Sequence, residues 1–387
     1  MNSFPPFCIT SAQYLPTRLD FRMGVSHSLA SRMFSVNVII LLESDTGAAG
    51  YGEGVPRQYV TGETPDTVMS ALDNMLGDVR GAVISSPETL IGFLEGFGSS
   101  AAGKKNPSAL CSLELALLDL AGKHWNLPLS DLLGFSHPAD SLYYSMVVPL
   151  LPDDDIARFL EPARGYGFRH VKVKIGATDP AARVRSVQAV LGPDVEIRAD
   201  ANCAWNRENA PRLVEELTGL GVVSIEQPLP AEDLEGMAGL RKSGKIEVTL
   251  DESVSNPEDV HLAADARACD IVNVRISKCG GVLGALRVVK AAGDRGLEVQ
   301  LGAQVGESCI LSAAGACLAA GTMSFRWLEG CFGEHLLVRD FCGVDLRFGQ
   351  SGFVRPPSQP GLGVPIDRER IGEAHAAFLA ARESASS

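Results

Sequence analysis

The stretch His170-Val171-Lys172-Val173-Lys174 decides the fold, because it is the first of five short runs that end in a charged residue. The following runs end in Asp200, Glu226, Asp251 and Lys278. From Lys174 onward the steps are 26, 26, 25 and 27 residues, about the length of one strand, one helix and two loops. Such a repeat predicts β/α units whose parallel strands end at one ring of charged side chains.

The same rhythm extends on both sides of these runs and predicts eight parallel strands. They are expected near residues 142–148, 170–175, 195–200, 222–226, 246–251, 271–275, 297–303 and 323–328. Eight units fill about 200 residues, as a (β/α)8 TIM-type barrel requires. A doubly wound sheet is the main alternative, but it would not by itself place five consecutive strand ends around one point.

A different pattern precedes the barrel. Residues 7–55 are typical of a β meander, and helices are predicted over 64–80, 86–96 and 107–124. The glycines of residues 50–54 favour a tight bend or a flexible loop. A run of strands followed by a run of helices predicts an α+β domain.

The C-terminal tail is expected to complete this N-terminal domain. Residues 349–365 are rich in Gly and Pro and should run back over it before a last helix at 367–383. We therefore predict a capping domain over 1–140, completed by 350–387, and a catalytic barrel over 141–349.

Composition limits the class of protein. Apolar residues make up 45% of the 387 residues and charged residues 21%, which is typical of a globular chain with a large core. The net charge of −13 argues against nucleic-acid binding. No apolar run is long enough to span a bilayer, so no membrane partner is expected. Nine cysteines without CxxC spacing and a start without a basic signal region favour reduced thiols and a cytoplasmic location.

Three of the residues at strand ends are acids, namely Asp200, Glu226 and Asp251. Carboxylate oxygens are the ligands that Mg²⁺ prefers, and active sites of barrels lie at the carboxyl ends of the strands. Taken singly, each acid could equally cap a helix or pair with a surface lysine. Three acids at matched spacing, each after an apolar run, predict a divalent-metal site.

Lysines flank these acids. Lys172 and Lys174 are two residues apart on one strand, so their side chains point the same way, and the barrel mouth is the less costly side. We expect such a pair, beside a metal, to depress each other's pKa, which suits a base. Lys278 follows the sixth strand, roughly opposite the second, and could face Lys174 across a substrate carbon. The alternative for Lys278 is a surface position in the loop 277–281.

The ordered set of motifs resembles the mandelate racemase/muconate lactonizing enzyme group of the enolase superfamily, specifically its muconate lactonizing enzyme (muconate cycloisomerase) subgroup. The motifs are Lys172-Val173-Lys174, Asp200-Ala201-Asn202, Glu226-Gln227-Pro228, Asp251-Glu252-Ser253 and Lys278-Cys279-Gly280-Gly281. Gly50-Tyr51-Gly52-Glu53 and Gly306-Glu307-Ser308 extend the resemblance over nearly the whole chain.

The resemblance implies a modified (β/α)7β barrel and a magnesium ion, or manganese in its place, held by Asp200, Glu226 and Asp251. Lys174 and Lys278 would flank the substrate's α-carbon, and one of them would remove its proton while the metal stabilises the enediolate. Lys172 would support Lys174 electrostatically.

Three further polar residues are implied as partners of these groups, namely Asn202, Glu252 and Glu307. The first two would orient the metal ligands and the lysines. Glu307 could equally be an acid at the start of the next helix.

Substrate specificity is expected from the eighth strand and from two loops of the capping domain, 18–32 and 55–61. Dipeptide epimerases of the family carry an Asp-x-Asp pair there, whereas this chain has Trp327-Leu328-Glu329-Gly330. Trp327 with Glu329 would suit a substituted ammonium through cation–π attraction, unless Trp327 is a core residue. In the loops, Arg57, Tyr59 and His27 are candidate contacts, although loop arginines are often solvated.

Three functions remain open at this point. The first is a magnesium-dependent racemase or epimerase of a small-molecule carboxylate, most simply an amino-acid derivative, which would use both lysines. The second is a cycloisomerase or a dehydratase, hence a lyase, and the third is a non-catalytic barrel that binds a ligand. Barrels of this kind commonly associate, so a homo-oligomer is also predicted.

Overall fold

A four-stranded antiparallel sheet forms the N-terminal part, in the order β3-β2-β1-β4. The computed structural model describes residues 4–136, 138–322, 325–342, 346 and 349–386. The strands of this sheet are β1 (Phe7–His27), β2 (Ala30–Ser44), β3 (Ala49–Gly54) and β4 (Val83–Ile84). The helices beside it are α1 (Gln58–Thr61), α2 (Pro65–Val79), α3 (Pro87–Ser99), α4 (Ala101–Lys105), α5 (Pro107–Trp125) and α6 (Leu129–Leu132). The predicted meander and its three helices are confirmed.

The glycines of residues 50–54 belong to strand β3, so the expected bend or flexible loop is wrong. Gly50, Gly52 and Gly54 face helix α5, and a Cβ atom at Gly52 would lie 1.9 Å from the carbonyl oxygen of Ser112. The missing side chains let the helix backbone lie directly on the strand. Helix α5 is buried on nearly all sides as a result.

Eight parallel strands form the second sheet, and all eight lie where the sequence predicted them. They are β6 (Met146–Val148), β7 (His170–Lys174), β8 (Glu196–Asp200), β9 (Ser224–Glu226), β10 (Glu247–Leu250), β11 (Ile271–Val274), β12 (Glu298–Leu301) and β13 (Phe325–Leu328). Neighbours in sequence are neighbours in the sheet. The backbone N–H of Ser145, just before β6, donates to the carbonyl of Leu328 in β13 at 2.7 Å, which joins the two edges.

Seven helices connect the eight strands in the described chain, which gives the (β/α)7β barrel. They are α7 (Asp153–Arg164), α8 (Pro180–Leu191), α9 (Ala210–Thr218), α10 (Leu234–Lys242), α11 (Pro257–Asp265), α12 (Val282–Asp294) and α13 (Cys309–Thr322). The short helix α14 (Gly333–Leu336) follows the last strand, and β5 (Leu142–Tyr143) pairs with β14 (Phe353–Val354) outside the barrel. The doubly wound alternative is therefore wrong.

The tail returns to the N-terminal part, as expected. The N–H of Gly361 donates to the carbonyl of Leu127, and the N–H of Leu362 donates to the carboxylate of Asp119 in helix α5. The last helix, α15 (Arg368–Ser386), packs against β1. These contacts agree with a tail that completes the capping domain, although the predicted boundaries near residues 140 and 350 stay a prediction.

Two carboxylates hold the N-terminal part to the barrel. Glu53 of β3 accepts hydrogen bonds from the backbone N–H groups of Ser308 and Leu311 at the start of α13. Glu114 of α5 accepts from the N–H of Leu283 at the start of α12, at 3.0 Å. The first N–H groups of a helix have no partner within it, so a buried carboxylate satisfies them.

The nine cysteines are all free thiols. Among the described residues, the helices are too short or too polar to cross a membrane.

Candidate active site

The three strand-end acids lie buried at one mouth of the barrel. Asp200, Glu226 and Asp251 end or follow the adjacent strands β8, β9 and β10, and they are at most 2% exposed. They face inward because side chains alternate along a strand and their neighbours Ala199, Ile225 and Leu250 pack outward into the core. The repeat read from the sequence therefore brings three carboxylates together.

Two cationic side chains lie among these carboxylates. Lys172 Nζ is 3.4 Å from Asp200 and 3.3 Å from Glu226, so it lies between them. Arg275 donates to Asp251 and lies 3.9 Å from Glu226. The carboxylate oxygens of the three acids do not all approach within 4.8 Å of one another. The positive groups occupy the space among them.

Lys174 is held at the wall of the mouth by two partners. Its Nζ donates to Asp200 at 2.8 Å and to the side-chain oxygen of Asn202 at 2.7 Å. The amide nitrogen of Asn202 in turn donates to Glu252 at 3.1 Å. Asn202 thus links the lysine to Glu252, and both predicted partners are in contact with the cluster.

Lys278 lies on the other side of the ring, after the sixth strand of the barrel. It is 1% exposed, and its Nζ donates to Asp251 Oδ1 at 2.8 Å and to the carbonyls of Asp251 and Asn273. The alternative of a surface lysine is wrong. Lys278 itself does not line the cavity. Arg275, which binds the same carboxylate, lines it instead.

The pKa values of Lys172 and Lys278 shift in opposite directions. Burial would lower the pKa of Lys172, but the carboxylates of Glu226, Glu329 and Asp200 outweigh it and raise the pKa. The expected depression of Lys172 by its neighbour is therefore wrong. Burial, aided by Arg275, lowers the pKa of Lys278 to about 8, against the opposing influence of Cys279. Lys278 consequently combines a lowered proton affinity with a fixed position, which suits a base.

The surroundings shift the pKa values of Asp200 and Glu252 in opposite directions. Burial would raise the pKa of Asp200, but Lys174 and Lys172 hold it below the ordinary range. Burial, together with the charges of Asp200 and Glu226, raises the pKa of Glu252 to about 7. Among the described side chains, no group donates to Glu252 Oε2.

A cavity opens from the cluster towards the capping residues. Lys172, Lys174, Arg275 and Asn202 line its inner end, and Glu307, Glu329 and Tyr59 lie on its walls. Glu307 accepts a hydrogen bond from the N–H of Gln304 at 2.6 Å, and the first turn of α13 is instead bound by Glu53. The alternative of Glu307 as the acid of that helix start is therefore wrong.

Trp327 does not reach the cavity, so its expected role as a substrate contact is wrong. Its indole N–H donates to Glu196 at 2.7 Å, and its ring lies 4.5 Å from the guanidinium of Arg198, inside the barrel. Trp327 lies on β13 and Glu329 follows directly after that strand; both point inward, but only Glu329 lies at the level of the mouth. Trp327 is the core residue that the sequence left as an alternative.

Arg57 is not a substrate contact in this structure either. It is 1% exposed and donates to the carbonyls of Pro56 and Val305 and to the hydroxyl of Ser35. Through Val305, its guanidinium thus holds the loop that carries Glu307. The side chain of His27 lies outside the described residues.

Sequence reasoning missed four residues that complete the cluster. Asn273 and Gln300 donate to Glu226 at 2.8 and 2.7 Å, Arg275 binds Asp251, and Arg198 binds Glu329 at 2.9 Å. Each of them is a polar residue that alternates with apolar ones within or just after a buried strand. That alternation was the signal that could have found them.

The donor set fits a hard divalent cation. Three carboxylates from adjacent strands are buried together, and each lies within 3.3 Å of a positive side chain. A buried group of acids needs such positive charge nearby, and oxygen ligands suit Mg²⁺ or Mn²⁺.

Two family descriptions cover most of the chain. Residues 13–134 match the mandelate racemase / muconate lactonizing enzyme N-terminal domain, and residues 155–370 match the enolase C-terminal domain-like family. The chain belongs to the mandelate racemase/muconate lactonizing enzyme group of the enolase superfamily. It is an isomerase of that superfamily, as relatives named as a racemase and as epimerases indicate.

Curated relatives span nearly the whole chain. An L-Lys-D/L-Arg epimerase of Desulforapulum autotrophicum is 33% identical over 85% of this chain and 91% of its own length. An N-succinyl-L-Arg/Lys racemase of Bacillus cereus is 26% identical over 94% of this chain and 97% of its own length. Among solved structures, a dipeptide epimerase of Enterococcus faecalis, complexed with Mg and L-Leu-L-Tyr, shares the fold with a TM-score of 0.83 and 24% identity. That comparison covers 92% of this chain and 99% of the other.

Proposed function

We propose that this protein is a magnesium-dependent racemase or epimerase that acts at the α-carbon of an amino-acid derivative bearing a carboxylate. The observation that carries the proposal is the pair of buried lysines on opposite strands of the ring, Lys174 and Lys278, with three carboxylates between them. Inversion at a carbon needs a proton acceptor on one face and a proton donor on the other. Relatives named as a racemase and as epimerases support the same reaction class.

Asp200, Glu226 and Asp251 would hold Mg²⁺, or Mn²⁺ in its place. The ion would supply the positive charge that stabilises an α-carbanion next to a carboxylate. The residues around the acids fix their positions, since Asn273 and Gln300 donate to Glu226 and the backbone N–H of Asn202 donates to Asp200 at 3.0 Å. Such hydrogen bonds orient ligands for an ion.

The two lysines have different surroundings. Burial lowers the pKa of Lys278 to about 8, which favours it as a proton acceptor. Lys174 is held in place by Asn202, while Lys172 stays positively charged between Glu226 and Glu329. Lys172 therefore keeps positive charge beside Lys174 without taking part in proton transfer.

The test is exchange at the α-carbon. The protein with Mg²⁺ is incubated in deuterated water with N-acyl amino acids and dipeptides, and NMR follows deuterium uptake while circular dichroism follows inversion. We expect exchange with inversion. Dehydration or ring closure of hydroxy or lactone-forming acids, without inversion of any amino-acid derivative, would instead favour a lyase or cycloisomerase.

Single lysine variants sharpen the assignment. Lys174→Ala and Lys278→Ala should each abolish inversion, because each removes the group on one face. Each variant should still exchange the α-proton of one enantiomer, since the acceptor on the other face remains. Inversion at the normal rate in either variant would refute the two-base arrangement.

Whether the protein acts as a homo-oligomer stays a prediction.

A further inference from the structure

Three side chains with metal-binding atoms meet at the start of helix α13. The sulfur atoms of Cys309 and Cys342 and a carboxylate oxygen of Asp340 all lie within 4.8 Å of one another. In the part of the chain that the structure describes, this is the one place where three such ligand atoms converge so closely. None of the three residues lines the active-site cavity, so the group is separate from the carboxylate cluster.

The two thiols are enclosed, whereas the carboxylate is accessible. Cys309 and Cys342 are 2% and 5% exposed, and Asp340 is half-buried. Solvent therefore reaches the group on the side of Asp340. An ion with three protein ligands needs such an open side, because water takes its fourth position and the ion must have a path of entry.

Hydrogen bonds fix the backbone around the group. The N–H groups of Cys309 and Phe341 both donate to Asp340 Oδ1, at 3.0 and 2.6 Å. Arg370, in the last helix, donates to the carbonyls of Asp340 and Cys342 at 3.1 and 3.2 Å. These contacts place the carboxylate and both thiols before any ion binds, which lowers the entropic cost of binding.

A contact at a helix start accounts for the acid but not for the thiols. Asp340 accepts from the first N–H of α13, as Glu53 accepts from two others. That contact needs only an acceptor oxygen, and neither Cys309 nor Cys342 contributes a side chain to it. Two thiols beside a carboxylate are instead a donor set for a borderline-soft cation such as Zn²⁺, whereas Mg²⁺ takes oxygen ligands.

We propose that Cys309, Cys342 and Asp340 bind one Zn²⁺ ion, with water as the fourth ligand. Ligand atoms about 2.0–2.3 Å from a tetrahedral ion lie less than about 4 Å apart, a spacing that small side-chain rotations achieve here. Both thiols release their protons to solvent as the ion binds.

The ion links the start of α13 to the segment that follows β13. Ser312 of α13 and Phe332 of that segment both line the active-site cavity. An ion bound between these two parts therefore clamps the wall of the cavity from outside. The site does not depend on the proposed function.

Cobalt absorption tests the proposal in the full chain. The protein is stripped of metal, kept reduced with a phosphine and saturated with Mg²⁺, and Co²⁺ is then titrated in. We expect one equivalent to give thiolate-to-cobalt charge-transfer absorption in the near ultraviolet, and one equivalent of Zn²⁺ to remove it. Cobalt bound to carboxylates alone gives no such absorption, so the active site does not interfere. Absence of the charge-transfer absorption would overturn the proposal.

Variants separate the ligands from the fold. Cys309→Ser and Cys342→Ser should each lower the affinity for Zn²⁺, measured by competition with a chromophoric chelator, by about a hundredfold. Cys317→Ser removes a buried thiol further along α13 and should bind as the wild type does. Wild-type affinity in both other cysteine variants would overturn the proposal.

Asp340→Asn tests the third ligand without removing the contact at the helix start. The amide oxygen can still accept from the N–H groups of Cys309 and Phe341, but the charge is lost. We expect the affinity for Zn²⁺ to fall by about tenfold. Unchanged affinity would contradict the assignment of Asp340 as a ligand.

Thermal unfolding tests the clamp. Zn²⁺ should raise the Tm of the Mg²⁺-saturated wild type, because an ion that binds only the folded state stabilises it. The rise should vanish in Cys309→Ser and persist in Cys317→Ser. Tight binding with an unchanged Tm would mean that the unfolded chain binds the ion equally well, which would contradict the clamp. None of these measurements uses the reaction, so their failure would leave the proposed function intact.

Discussion

Buried acids occur in two regions of this protein, and their partners differ. In the mouth of the barrel, Asp200, Glu226 and Asp251 pair with ammonium and guanidinium groups. At the contact between the N-terminal part and the barrel, Glu53 and Glu114 pair with backbone N–H groups at helix starts. Both kinds of acid are fully enclosed.

The two environments act on the acids in opposite directions. Burial raises the pKa of Glu53 and of Glu114 to about 7, because the hydrogen bonds they accept offset it only in part. Burial acts on Asp200 as well, but two lysines reverse its effect and lower the pKa. Burial of an acid is thus not in itself a mark of a reactive site. Between these two regions, cations beside the acids are the feature that separates the catalytic cluster from the contacts at helix starts.

The largest effect is expected from Asp251→Asn, which removes one acid from the cluster. Arg275 and Lys278 would stay buried without their carboxylate, so the free energy of unfolding should fall by about 3–5 kcal/mol. Exchange at the α-carbon should fall by about a thousandfold or more, because a metal ligand and the anchor of Lys278 are lost together. Urea denaturation and NMR exchange measure the two losses.

The matched control for this variant is Asp265→Asn. Asp265 pairs with Arg295 at the surface, where the acid is 68% exposed, and such pairs contribute about 0–1 kcal/mol. If Asp251→Asn lost no more stability than this control, the acid would not be the counter-charge of the cluster.

Glu53→Ala tests the architectural acids and should have the next largest effect. Four donors, from Asn37, Ser308 and Leu311, would lose their buried acceptor, so we expect a loss of about 3 kcal/mol. Since Glu307 in the adjoining loop lines the cavity, kcat/KM should fall by about tenfold, with little change in the affinity for Mg²⁺. Glu43→Ala, which removes a surface partner of Arg368, is the control. Loss of Mg²⁺ binding in Glu53→Ala would place Glu53 with the cluster instead.

The fold and the inner cluster could be predicted because they follow from spacing along the chain. A step of about 26 residues fixes which strand each charge follows, and alternation along a strand fixes that Lys172 and Lys174 point the same way. The acids therefore converge at one end of the barrel, whatever conformation the loops adopt. Arg275 and Gln300 were missed because a polar residue within a strand can lie at the mouth, in the packed interior or on the helix side.

The outer cavity could not be predicted, because it is built from segments far apart in sequence. Trp327 and Glu329 lie two residues apart and point the same way, yet one lies deep in the barrel and the other lies at the mouth. Depth along the barrel axis depends on where each strand ends, which the pattern leaves uncertain by one or two residues. Arg57 shows the same limit, since its loop position did not reveal that Ser35 and Val305 would enclose it.

A smaller effect, in pH dependence, is expected for Glu114→Gln. The folded pKa of Glu114, about 7, lies above that of an unfolded glutamate, so the folded state holds the proton more tightly. The stabilisation that protonated Glu114 contributes to the folded state is fully present at pH 4 and is lost as the pH rises towards 7. Relative to Glu114→Gln, the wild type should therefore lose about 2–3 kcal/mol of unfolding free energy across this interval.

Urea denaturation at several pH values measures this difference. The exposed Glu235→Gln, with its acid 85% exposed, controls for the loss of a negative charge. Parallel curves for wild type and Glu114→Gln would show that the pKa of Glu114 is the same in the folded and the unfolded state. A wild type that gains stability over the same interval would mean that Glu114 behaves like the acids of the cluster.

The smallest effect on stability and on KM is expected for Trp327→Phe. Trp327 lies at the lower edge of the carboxylate cluster. The variant loses the hydrogen bond to Glu196 and part of the stacking between Arg198 and Arg326, which should cost about 1–2 kcal/mol of unfolding free energy. Because Trp327 lies below the mouth, KM for an amino-acid derivative that the enzyme inverts should change less than about threefold. Phe332→Ala, which removes a ring from the cavity wall, should raise the same KM by about tenfold. A reversed order of the two effects would restore Trp327 as a substrate contact and would mean that the cavity reaches deeper than the carboxylate cluster.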